Sequence, residues 1–150
     1  MQQILDILNS EGLDAAIAAM ENLEGYDREV RLYAVWCARQ VEHLVDFWRI
    51  SDGLNLSERY ANGEISLEDL EYFHYNTGLE LMHTNLSSNA RIAAWGATLV
   101  PIKTTVGTAA GHAALALRNT GSTVEEGLDL WRAARTAQET ELRRVINSVI

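Results

Sequence analysis

Only one cysteine and one proline occur among the 150 residues. With Cys37 alone, no intramolecular disulfide can form. This, together with the lack of a charged-then-apolar opening segment, makes a cytoplasmic location the expectation. Cys37 lies within an apolar stretch, which suits a small buried hydrophobe. A catalytic thiol would need an electropositive, partly exposed setting. Long apolar runs are also missing. The nearest, from Ile92 to Leu117, is interrupted by Pro101 and Lys103 and diluted by threonine and histidine. A membrane-spanning helix needs about 20 mostly apolar residues in a row, so no membrane partner is expected.

Basic residues are scarce, with 12 Lys and Arg against 21 Asp and Glu for a net charge of −9. Contact with free nucleic acid requires a basic patch, so none is expected. Recognisable catalytic loops are lacking too. There is no Gly-x-Ser-x-Gly elbow, no Gly-x-x-x-x-Gly-Lys phosphate loop, and no Gly-x-Gly-x-x-Gly after a strand. No cofactor and no enzymatic activity are expected.

The residues present describe a globular protein: 47% are hydrophobic and 22% charged. A chain of this length buries roughly 70% of its unfolded surface and needs no staples. The acidic excess is uneven. Residues 1–86 carry 16 acids and 5 bases, whereas residues 87–150 carry 5 acids and 7 bases. An acidic half attracts a basic protein and speeds its encounter, although acidic bias also serves simply to solvate a surface.

Apolar spacing is helical almost throughout. Val30, Ala34, Cys37, Val41, Leu44 and Trp48 form one stripe, and Leu32, Trp36, His43 and Phe47 form a second. A helix apolar on most sides is wrapped by neighbours, so the sequence predicts a buried central helix at about 28–49 that encloses Trp36. Helices are expected before it at 2–9 and from Leu13 to Leu23, with Gly25 as a cap. Ser51 to Gly53 are expected to break the central helix, and Asn62-Gly63 to end a shorter one. Ser66-x-x-Asp69 resembles a capping box, and Ser122-x-x-Glu125 is a full one. Asn89 is a candidate cap for a helix at 90–100. Pro101 kinks or restarts the chain before a helix at 102–118. Within that helix, Gly107-x-x-x-Gly111 suggests close packing. TTV at 104–106 is too short a strand signal to compete. The expectation is an all-α, single-domain bundle (1–150) of about seven helices.

Three constellations could carry function. Glu71 with His74, and Glu80 with His83, are paired Glu-x-x-His motifs of the type that di-metal carboxylate bundles use. Glu80 follows Glu71 by only nine positions, which leaves no room for two full helices to reverse, so no metal is expected. His112 lies among small residues, where a hydrogen bond to a neighbouring helix suits it. The third is Glu64, Glu68, Asp69 and Glu71 beside Tyr72 and Tyr75, acids interleaved with aromatics in a manner that suits a basic protein partner.

RLYAVWCARQVEHL at 31–44 and ERYANGEISLEDL at 58–70 carry a resemblance, extended by ARIAAWGA at 90–97 and AARTAQETELRRVI at 133–146. Across residues 30–146 the chain resembles a family of bacterial and phage-borne helical proteins described as immunity proteins of polymorphic toxin systems. The resemblance implies a binding protein and supplies no catalytic residues. The leading expectation is therefore a non-enzymatic inhibitor that neutralises a protein toxin or effector. Its protein-binding residues would be Glu64, Glu68, Asp69, Glu71, Tyr72 and Tyr75. A phage counter-defence protein, mimicking DNA with its carboxylates or blocking a nuclease or CRISPR effector, is the alternative. A metal-dependent carboxylate-histidine enzyme is the third. A homo-oligomer is compatible with each.

Overall fold

The computed structural model describes residues 1–45, 49–82, 88–98 and 105–150, without the side chains of 77–82 and 105. Among these residues there are eight α-helices, one 3-10 turn and no strand. The helices are α1 (Gln2–Ser10), α2 (Leu13–Met20), α3 (Asp27–Arg39), α4 (Arg49–Ala61), α5 (Leu67–Met82), α6 (Asn89–Thr98), α7 (Thr105–Arg118) and α8 (Val124–Asn147). No described helix is long and apolar enough to cross a membrane.

Helix α3 is the centre, as its doubled stripe predicts. It packs on α4, α6, α7 and α8. Val30, Tyr33, Ala34, Val35, Cys37 and Ala38 are all buried. It is shorter than expected, however. Beyond Arg39 the backbone passes through a 3-10 turn at Glu42–Leu44 and becomes extended at Val45. Phe47, Trp48 and Pro101 lie outside the described residues, and His43 is exposed. Ser51 to Gly53 do not break a helix but lie inside α4. Gly53 serves there as a contact surface. A Cβ on it would stand 2.9 Å from Phe73 Cε1 and 3.2 Å from Thr98 Cγ2.

The interior is built from small side chains. Helix α6 buries Ala90, Ala93, Ala94, Gly96 and Ala97 against α7, which buries Val106, Ala109, Ala110, Ala113 and Ala114. Short side chains let two backbones approach closely, and dispersion contacts then accumulate along the whole crossing. Gly96 marks the tightest point. A Cβ there would lie 2.8 Å from Thr108 Cγ2 and 3.2 Å from the Ala109 backbone nitrogen. The sequence pointed to Gly107 and Gly111, and a Cβ on Gly107 would indeed stand 2.6 Å from Glu21 Oε1. Gly111 has open space around its Cα. Gly107 faces the Glu21 carboxylate, in the first turn of α7, where negative charge favours the helix dipole.

Two polar links tie the layers together. Arg31 is 1% exposed and donates to Ser57 Oγ at 3.2 Å, with its guanidinium carbon 5.1 Å from the centre of the Tyr60 ring. Ser57 Oγ in turn donates to the Ala97 carbonyl at 2.7 Å, so α3, α4 and α6 share one connection. On the far side, Gln138 Nε2 donates to the Ala110 carbonyl at 2.8 Å, while Tyr33 Oη donates to the Gln138 carbonyl at 3.2 Å. Gln138 thus lies on the buried stripe of α8 with Ala134, Leu142, Val145 and Ile146. Trp131 and Val149 lie off that stripe and are exposed. The cap of α8 falls one residue later than the sequence suggested. Thr123 and Glu126 form the capping box.

Gly96→Ala and Gly111→Ala separate packing from propensity. Gly96→Ala is expected to destabilise the fold by about 1–3 kcal/mol through overpacking. Gly111→Ala is expected to stabilise it by roughly 0.5–1 kcal/mol through backbone entropy. Denaturant unfolding of both variants checks the pair; equal effects would contradict the assigned crossing.

Candidate functional site

Helix α5 presents two sides of opposite character. Its inner side carries Leu70, fully buried, with half-buried Phe73 and His74. Phe73 lies against the Gly53 surface of α4. The outer side carries Glu68, Glu71, Tyr72 and Tyr75, which recur at i, i+3, i+4 and i+7 and therefore share one side. Tyr72 is 74% exposed and Tyr75 67% exposed. Three residues apart on one helix, the two rings neighbour each other and form a patch rather than lying scattered.

The start of α5 is fixed by the expected cap. Ser66 Oγ accepts from the Asp69 backbone N–H at 3.1 Å, and Asp69 Oδ2 accepts from the Ser66 backbone N–H at 3.1 Å and its hydroxyl at 2.7 Å. These bonds hold the Asp69 carboxyl below its usual range. Asp69 is therefore committed to local structure, while Glu68 and Glu71 have no such anchor in the cap. Glu64 lies in the turn before the helix and pairs with Arg59 at 3.4 Å. It also borders a cleft of about 690 Å³ between α4 and α5, which Asp52, Asn55, Glu58, Arg59, Asn62 and Phe73 help to line. All six residues named from the sequence are exposed and lie in or just before one helix. The tyrosines and Glu68 and Glu71 share its outer side. Asp69 serves the cap, and Glu64 joins the adjoining cleft.

The paired Glu-x-x-His reading meets a different geometry. Glu71 points outward, whereas the His74 ring stacks on Trp95 with centroids 3.7 Å apart and places Nδ1 3.2 Å from Thr98 Oγ1. The Glu80 side chain and His83 lie outside the described residues. Among the described residues, no three His, Cys, Asp or Glu side chains gather as a metal site. His112 Nδ1 lies 3.0 Å from Asn89 Oδ1, linking α7 to α6. Cys37 is fully buried, and burial pushes its thiol up to about 12.

Trp36, expected to be enclosed, is only half-buried. Trp36 and Trp95 are half-buried and Trp131 is exposed, so none of the three described tryptophans is a core residue. Trp36 instead borders two grooves along α8. One, of about 330 Å³, has Leu32, Val35 and Val145 beside Arg28, Arg39, Arg144 and three glutamates. The mixed charge there leaves no converging imidazoles and no single-sign field. Comparison with protein-family models, curated proteins and solved structures found no match for this chain.

His74 gives a pH test of how α5 is held. Burial lowers its affinity for a proton, so the folded chain keeps it neutral where an unfolded chain would be charged. Stability is therefore complete above about 6.5, the ordinary histidine value, and falls as pH drops below it until the folded form also takes up the proton. His74→Gln is expected to flatten this part of the stability profile between neutral and mildly acidic pH. An unchanged slope in thermal unfolding would place the titration elsewhere.

Proposed function

We propose that this chain is a non-enzymatic inhibitor that binds a basic protein, a toxin or other effector, through the outer side of α5, and acts by occlusion. The observation that carries this reading is the pair of bare tyrosines at Tyr72 and Tyr75 framed by Glu68 and Glu71 on one helical side. Tyrosine supplies large contact area at low entropic cost, and a few such residues provide most of an interface's affinity. The flanking carboxylates supply steering, which acts on the association rate more than on final affinity. Resemblance to toxin-immunity proteins supports the same role. A phosphate mimic would need a continuous array of carboxylates, and the tyrosines interrupt one here. The anchoring of α5 through Leu70 and Phe73 allows this side to be presented without rearrangement, which limits the ordering cost of binding.

The test is kinetic. The partner is isolated from the native host, or encoded by a neighbouring toxin gene, and its binding is followed at several salt concentrations. Reversing Glu64, Glu68 and Glu71 to Lys, leaving the Asp69 cap intact, is expected to slow association about tenfold at low salt and to reduce its salt dependence. Tyr72→Ala and Tyr75→Ala are each expected to cost about 1–2 kcal/mol, mainly through faster dissociation. Binding unchanged by all of these substitutions would remove α5 as the interface.

A further inference from the structure

Helix α8 is 24 residues long, and one of its sides is exposed along the middle of that length. Asp129, Ala133, Thr136 and Thr140 recur at helical spacing on that side. Beside them lies an apolar groove of about 510 Å³, with Trp36 as one wall and Ala133, Thr136, Ala137 and Thr140 along the other. We propose that a second copy of this chain occupies this face, α8 against α8, antiparallel about a two-fold axis beside Thr136. The proposal is independent of the α5 reading.

Charge order along α8 carries the argument. Asp129 and Arg132 precede Thr136 by seven and four residues. Glu139 and Arg143 follow it by three and seven. At about 100° per residue, Arg132, Glu139 and Arg143 fall about 20–60° to one side of Thr136 and Asp129 about 20° to the other, so all four border the midline of the exposed face. An antiparallel pair centred at Thr136 sets Asp129 opposite the partner subunit's Arg143, and Arg132 opposite the partner subunit's Glu139. Each pair already exists along its own helix, Arg132 to Asp129 at 2.9 Å and Arg143 to Glu139 at 2.8 Å. Pairing two copies closes these into alternating four-charge groups on both sides of the axis. A parallel in-register pair would oppose like charges instead.

The apolar part agrees with this register. Alanine and threonine at the centre let two helix axes approach to about 8 Å. On the opposite flank, Leu130 is 38% exposed, and the same two-fold carries it toward the partner subunit's Trp36 groove. The contact is isologous, so it closes at two copies.

Sedimentation equilibrium of the full chain, from low micromolar to millimolar concentration, tests the pairing. The mass is expected to rise from 16.7 kDa toward twice that value. Thr136→Glu, which sets two carboxylates face to face at the axis on an exposed position, is expected to hold the mass at one chain with unchanged circular dichroism. Asp129→Arg and Arg143→Glu alone should each weaken self-association at least about tenfold, and mixing the two variants should restore it, because opposite charges then meet again. Arg132→Glu mixed with Glu139→Arg repeats the test without touching the Arg143 contact to Asn9. A single-chain mass throughout for the unaltered protein overturns the proposal. So does pairing that survives Thr136→Glu, or mixtures no stronger than their components.

Discussion

The close crossing of α6 and α7 is the constraint on which the rest depends. At Gly96 the two helices leave no room for a methyl group. Alanine dominates both buried faces, so the layer is thin and well packed. A thin interior cannot hold many large rings. Tyr33 is the one fully buried aromatic among the described residues, and it stays there because its hydroxyl reaches the Gln138 carbonyl. The other rings are pushed toward the periphery, where they become available for contact.

That displacement connects packing to the proposed interface. Trp95 and Phe73 sit at the margin of the core and hold α5 through His74 and Gly53. Tyr72 and Tyr75 lie beyond it, on the side of α5 that no core residue claims. Trp36 borders α8 in the same marginal way. The buried links Arg31–Ser57–Ala97 and Gln138–Ala110 then act against slippage between layers whose alanine faces would otherwise fit in several registers. Hydrogen bonds that only one arrangement can satisfy supply this selectivity, since breaking them would strand buried polar groups.

Much of the fold was legible in the sequence because helical periodicity and caps are local signals. The doubled stripe identified α3, and Ser66 with Asp69 marked the start of α5. The end of α3 was not legible, because apolar residues continue through Val41 and Leu44 while the backbone tightens into a 3-10 turn. Gly53 read as a breaker because spacing cannot distinguish a weak helix from a helix shaped to receive Phe73. Trp36 misled for a similar reason: helical spacing fixes a side, but not the depth of the neighbour it meets. The six residues of the candidate site were chosen from charge and aromatic interleaving alone. The division between Asp69 as a cap and Glu68, Glu71, Tyr72 and Tyr75 as an open face required coordinates.

The most direct test is site-specific photocrosslinking in the native host. A photoreactive residue at Tyr72, on the outer side of α5, is compared with one at Val124, which is 78% exposed at the start of α8. A single basic protein crosslinked from position 72 and absent from position 124 is the expected result. Adducts only from position 124, or an acidic protein or nucleic acid captured at 72, would contradict the account.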